Sequence, residues 1–216
     1  MKVVRAGAEL DEAAADAIAR ALNAALRDRA RASLALSGGA TPWLALRALA
    51  GTDVDWSRVD VYQVDERLAP QGDSARNLVG LTSALLDRVS ASVHPMPVEA
   101  SDVAEAAERY GSSLPASLDV VHLGLGDDGH TASLVPGDPV LDLTDRSVAV
   151  TQPYRGHRRM TLTFPSLDRA GAIIWIVSGA EKASMVERLL SADPTIPAGR
   201  VSQERAVLVT DVAETR

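Results

Sequence analysis

The 216-residue chain contains no cysteine, which excludes disulfides, a thiolate nucleophile and cysteine-ligated zinc, and fits a reducing compartment. Lysine is almost as scarce: Lys2 and Lys182 are the whole supply, and every other Lys/Arg position is arginine. No stretch approaches the about 18 uninterrupted apolar residues that mark a membrane span. The opening segment, MKVVRAGAELDEAAAD, reaches acidic residues with no apolar core of signal-peptide length. Positive charge is in deficit, with a formal net charge of −7. A general nucleic-acid binder needs a basic face to release counterions, so the balance speaks against one. Glycine (15) and proline (11) are too few for a collagen-like or low-complexity chain, and 46% hydrophobic with 24% charged residues is a globular composition. These features predict a soluble cytoplasmic protein with neither nucleic-acid nor membrane partners, expected as a monomer.

What is present alternates between strand and helix. Leu10, Ala14, Ile18, Leu22 and Leu26 recur every four residues. Acids near the start of this stripe and arginines near its end suit the helix dipole. Apolar runs at 33–36, 59–64, 118–123, 172–177 and 206–209 read as strands, with shorter ones at 148–150 and 160–163. Helical patterns cover 42–49, 78–89, 103–114 and 181–190. Pro95 and Pro97 make 93–98 an edge segment. The pattern predicts one α/β domain over 1–216: a single doubly wound, mostly parallel, Rossmann-like sheet with helices on both faces. The stretch 138–159 is the most loop-like and is expected to form a lobe or lid.

Four strands lead at once into segments that are not ordinary turns: Ser37-Gly38-Gly39-Ala40-Thr41-Pro42, Asp65-Glu66-Arg67, Gly124-Leu125-Gly126-Asp127-Asp128-Gly129-His130, and Ser178-Gly179-Ala180-Glu181-Lys182. The carboxyl ends of parallel strands share one edge, where ligands bind, so these segments are expected to converge. The first can cradle a phosphate: its glycines let amides approach an anion, a helix starts at Pro42, and the Ser37 and Thr41 hydroxyls can donate. The plainer reading is a tight turn with Thr41 as N-cap. Lys182 lies in the first turn of a helix, where a cation is misplaced without a bound anion; a solvated surface lysine is the alternative. Arg159 can grip a phosphate or belong to a basic surface loop. His130, after three glycines and beside Asp128, suits a general base. The paired acids Asp65 and Glu66 can transfer protons and Arg67 can bind a sugar oxygen or phosphate, or the three compensate one another as a loop of charges. Asn77 reads as the N-cap of the next helix, and Trp43, Trp56 and Trp175 as core. His94, His122 and His157 show no setting that suggests chemistry. Asp127, Asp128 and His130 match no standard metal-ligand spacing.

Together these segments, with Asn77, the continuation Thr131-Ala132-Ser133-Leu134-Val135-Pro136-Gly137, and Arg159-Met160-Thr161, resemble the 6-phosphogluconolactonases of the glucosamine/galactosamine-6-phosphate isomerase superfamily. The resemblance runs in order over about 33–190. One departure is Val135, where the family typically carries an aromatic residue. The resemblance implies a hydrolase that opens 6-phospho-D-glucono-1,5-lactone in the oxidative pentose phosphate pathway, without metal or organic cofactor. His130 would activate water with Asp128 as its partner. Ser37, Gly38, Gly39, Thr41, Arg159 and Lys182 would bind the phosphate, while Arg67 and Asp65 would hold the sugar end. Related glucosamine-6-phosphate deaminase/isomerases typically carry Asp-Glu-Tyr where this chain has Asp65-Glu66-Arg67, and a further acid after Asp-Gly-His. No carboxylate follows His130 here before Asp138, which favours the lactonase. A non-catalytic sugar-phosphate-sensing domain would usually accompany a basic DNA-binding element, and the N-terminal region holds none.

Overall fold

The computed structural model describes residues 1–39 and 42–214. The chain begins with β1 (Lys2–Arg5), α1 (Leu10–Asp28), β2 (Ala32–Leu36), α2 (Pro42–Ala50) and β3 (Val59–Gln63). It continues through β4 (Asp65–Arg67), α3 (Asn77–Ala84), β5 (Ser92–His94), α4 (Val103–Ser113) and β6 (Val120–Leu123). Then come β7 (Val148–Val150), β8 (Arg159–Leu162), α5 (Phe164–Asp168), β9 (Ala172–Val177), α6 (Ala183–Leu190), α7 (Pro197–Arg200) and β10 (Ala206–Thr210).

Seven strands form an all-parallel sheet in the order β1-β10-β9-β6-β2-β3-β5. Both faces are buried, which is why its central strands read as continuous apolar runs. Leu34, Leu36, Val61, Val120, Ile174 and Ile176 pack with Ile18 and Leu22 of α1 and Leu46 and Leu49 of α2. On the other face Ala35, Val121, Leu123 and Trp175 pack with Ala106 and Tyr110 of α4 and Leu189 of α6. The chain winds outward from β2 through β3 to β5, then returns to β2's other side at β6 and proceeds to β9 and β10. The carboxyl ends of β2 and β6 therefore diverge at a topological switch point, the place where this architecture opens a crevice.

A second, three-stranded antiparallel sheet, β4-β8-β7, was not anticipated from the alternation of strands and helices. The chain passes from one sheet to the other at Val64. Its N–H donates to Leu36 of the main sheet (2.9 Å) and its carbonyl accepts from Leu162 of the small one (2.8 Å). Asp65-Glu66-Arg67 is thus a strand in its own right rather than the loop closing β3. β7 leans on α4. The helix expected over 78–89 ends at Ala84 and gives way to a 3-10 turn at Leu86–Arg88.

Asn77 is not the N-cap of α3; Arg76 holds that position and makes no capping contact with its side chain. The cap comes from Glu66, fully buried, whose carboxylate accepts from the N–H groups of Asn77 (2.7 Å) and Leu78 (2.8 Å). It also accepts from the Arg67 N–H and the Gln63 amide (2.8 and 2.7 Å). A negative group at the positive end of a helix satisfies donors that would otherwise be stranded. Trp56 and Trp175 are core residues, and Trp43 packs on Gly80, where a side chain would overlap its ring. Among the described residues no helix is long and apolar enough to cross a membrane.

Candidate active site

A cavity of about 760 Å³ opens above the carboxyl ends of β2, β6 and β9, with the small sheet as one wall. The four expected segments meet there. Ser37, Gly38, Gly39, Asp65, Arg67, His130, Arg159 and Lys182 all line it. Thr41 lies outside the described residues. Asp128 stands behind His130 rather than on the cavity wall.

The loop after β6 is folded to aim the imidazole. Gly126 N–H donates to the His130 carbonyl (2.8 Å), and Gly129 N–H to the Gly126 carbonyl (3.0 Å). Gly129 has φ +80°, a conformation that favours glycine. A side chain at Gly126 would overlap the His130 ring itself. His130 Nδ1 lies 2.5 Å from Asp128 Oδ1, and Asp128 Oδ2 accepts from the Tyr154 hydroxyl at 2.9 Å. Burial opposes ionisation of Asp128, but the hydrogen bonds from His130 and Tyr154 outweigh it and hold the carboxyl down at about 2. A carboxylate there fixes the proton on Nδ1 and leaves the Nε2 lone pair as the basic site.

Another part of the cavity lining is cationic. In the β4–β8 register Arg67 stands directly across from Arg159. Like charges in that position repel, and the Asp65 carboxylate offsets part of that repulsion. Burial, with Arg67 and Arg155 nearby, makes the Arg159 guanidinium a weaker base than usual, although Asp65 opposes the shift. Among the described residues the buried Arg159 Nε has no hydrogen-bond partner. Such a pair suits a bound anion. Burial raises the Asp65 carboxyl despite the short bond from Ser133 Oγ (2.5 Å) and the arginines around it. Arg67 is braced by the Ala75 carbonyl (2.5 Å) and Asn77 Oδ1 (3.1 Å), while Asn77 Nδ2 donates to Asp65. Asn77 thus organises the arginine wall, and Gly38 passes so close to it that any side chain there would overlap the amide.

Lys182 follows Gly179 (φ +105°) at the end of a 3-10 turn, ahead of α6. Its ammonium donates to the Leu125 carbonyl (3.1 Å) and forms an ion pair with Asp127. The acid it faces is exposed, so an incoming phosphate can displace it.

His122 and His157 line the cavity too, contrary to the expectation that they lack a special setting. His94 lies elsewhere, stacked on Tyr62 and paired with Asp60 (3.0 Å). His122, on β6, is buried, and its Nδ1 accepts from the Ser37 N–H at 3.3 Å. The Ser37 hydroxyl in turn donates to the His122 carbonyl (3.1 Å) and so is committed to the backbone. Burial drives the His122 imidazole down to about 4. In the unfolded chain it takes up a proton below about 6.5. The resulting stability is therefore complete above that pH and is lost as the pH falls toward 4. The shift corresponds to about 3 kcal/mol. Urea midpoints followed from pH 7 to 4 should show wild type losing about that much more stability than His122→Leu; parallel curves would refute this account. Tyr154, which sequence reading did not single out, is a further residue of the site. Among the described residues, no group of three or more His, Asp or Glu side chains is placed to hold a metal ion.

A sugar-phosphate site at the switch point of a doubly wound sheet is the class this geometry defines. The chain matches the family model described as glucosamine-6-phosphate isomerases/6-phosphogluconolactonase over residues 5–210 and belongs to that family. It is 39% identical over 188 residues to a 6-phosphogluconolactonase of Rhizobium meliloti, covering 82% of this chain and 81% of that protein. Against the 6-phosphogluconolactonase of Synechocystis the identity is 34% over 200 residues, covering 86% and 83%. The crystal structure of a 6-phosphogluconolactonase from Shewanella baltica superposes with a TM-score of 0.87 at 28% identity, covering 98% of this chain and 97% of that one.

Proposed function

We propose that this chain hydrolyses 6-phospho-D-glucono-1,5-lactone to 6-phospho-D-gluconate. The observation that carries the reading is one cavity lined both by an imidazole oriented by Asp128 and by the cross-strand pair Arg67 and Arg159. The phosphate is gripped by Arg159, Lys182 and the amides after β2. Lys182 exchanges Asp127 for the substrate anion as it does so. Binding energy from this remote group places C1 beside a water on His130 Nε2. Nε2 takes a proton from that water as its oxygen adds to C1, and Arg67 faces the charge that grows on the carbonyl oxygen. Collapse of the tetrahedral intermediate breaks the bond from C1 to the ring oxygen. That oxygen recovers the proton from Nε2, and the hydroxy acid ionises to 6-phosphogluconate. The steps use the chain's own residues and call on no cofactor. We place the reaction in the cytoplasm, in keeping with the cysteine-free composition, and in a monomer, in keeping with a sequence that carries no obvious dimer stripe.

The test is to generate the lactone freshly and follow its loss above the spontaneous rate. Wild type should turn it over, and Lys182→Ala should raise KM about 10–100-fold, the value of a charge-assisted contact, with little change in kcat. The deaminase alternative predicts ammonia and fructose 6-phosphate from glucosamine 6-phosphate. Rapid ammonia release with no lactone turnover would overturn the proposal. Against that alternative, the Glu66 carboxylate is already occupied by the donors that cap α3.

A further inference from the structure

Tyr154 lies 26 positions beyond Asp128, in a segment whose composition marks it only as a basic loop. The chain there folds into a two-residue turn. Tyr154 N–H donates to the His157 carbonyl (2.9 Å) and His157 N–H returns the contact (3.2 Å). Between them Arg155 and Gly156 both adopt positive φ, +48° and +85°, as a tight hairpin with right-handed twist requires. The turn presents the phenol ring to the cavity. The ring meets His130 edge-on, with centroids 5.5 Å apart, and the guanidiniums of Arg155 and Arg159 each lie 5.2 Å from its centroid. Its hydroxyl donates to the oxygen of Asp128 that His130 leaves free.

We infer that Tyr154 is a positioning residue for the Asp128–His130 pair, its hydroxyl setting the carboxylate and its ring setting both the imidazole and the Arg159 guanidinium. A carboxylate held only by His130 can rotate about its side-chain torsion and carry the imidazole with it. A second donor on the other oxygen removes that freedom, as outer partners do for ligating and catalytic histidines elsewhere. Burial, and then the bond to Asp128, push the phenol above its ordinary value, so it stays a donor throughout the working pH range. The cations packed on its ring are attracted to the π face. One side chain therefore touches the base-bearing wall and the anion-binding wall. The substitutions separate the two contacts: phenylalanine keeps the ring and loses the hydroxyl, whereas leucine loses both.

The kinetic arm of the test rests on the lactonase reading. Tyr154→Phe should lower kcat about fivefold to tenfold with KM within about twofold of wild type. Tyr154→Leu should lower kcat further and also raise KM, because Arg159 loses its support. In an Asp128→Asn background, Tyr154→Phe should cost less than about twofold, since the bond it removes is already altered. A purely structural role would instead give the same factor in both backgrounds, and that result, or an unchanged kcat in Tyr154→Phe, would overturn the inference. A readout without turnover distinguishes failure here from failure of the lactonase reading. The His130 Nδ1 proton, hydrogen-bonded to Asp128, should give a downfield resonance in 15N-histidine-labelled protein. That signal should shift or broaden in Tyr154→Phe at unchanged Tm. An identical resonance in both proteins sinks the inference even if wild type opens the lactone, and a wild type inert toward the lactone sinks the functional reading while this spectrum still judges Tyr154.

Discussion

His130→Ala loses about 10²–10⁴-fold in kcat, the range that a positioned general base contributes, while affinity for 6-phosphogluconate stays close to wild type. The two halves of this expectation come from different residues of the cavity lining. In the proposed reading the imidazole meets the reacting carbon, whereas Arg159, Lys182 and the loop after β2, which line the same cavity, meet the phosphate, so deleting the base leaves the anchor in place. An interaction made only in the transition state lowers kcat and kcat/KM together. Stability should change little, because the ring is part-exposed at the cavity mouth and Asp128 keeps the Tyr154 hydroxyl as a partner. Lactone consumption after correction for spontaneous opening, together with calorimetric titration of 6-phosphogluconate, checks both halves. A variant that keeps a tenth or more of wild-type kcat would remove His130 from the role of base.

The convergence of the loops after β2, β6 and β9 was legible in the sequence because parallel strands carry their carboxyl ends to one edge. Alternating strands and helices with odd residues after several of the strands were enough to predict a pocket. What stayed hidden depends on pairing between distant segments. Nothing in the spelling of Asp65-Glu66-Arg67 says that it pairs with Arg159-Met160-Thr161, and so the small sheet and the facing arginines were invisible. Glu66 read as one of a pair of acids; its neighbours in space, the first N–H groups of α3, make it a helix cap instead. Asn77 was recognised as the start of that helix, but its side chain serves Asp65 and Arg67. His122 looked like an isolated residue in an apolar strand. The parallel register sets β2 beside β6, and the Ser37 N–H then reaches its ring. Lys182 stood out by its rarity, and the structure adds the exposed acid that it pairs with, Asp127. Tyr154 offered no signal at all, since a tyrosine in a basic loop has no periodicity and its partner lies in another loop.

Gly126→Ala is the sharper probe of how that imidazole is aimed, because it adds one methyl group and deletes none of the side chains assigned to the chemistry. Gly126 does not use the left-handed backbone region that alanine resists, so alanine fits its main chain. The obstacle is the His130 ring, which the new Cβ would overlap. The ring must swing away and give up its 2.5 Å contact with Asp128. A displacement of about 1 Å at a reacting group can cost about 100-fold, and kcat should fall by that order while Tm drops by only a few degrees. The pairing with His130→Ala supplies the decisive comparison. Once the ring is gone the atoms nearest the methyl group are gone with it, so Gly126→Ala should add nothing to His130→Ala in either kcat or Tm, a complete loss of additivity between two residues in contact. If instead Gly126→Ala lowers Tm by the same amount with and without the imidazole, the glycine is there for the turn and not for the base.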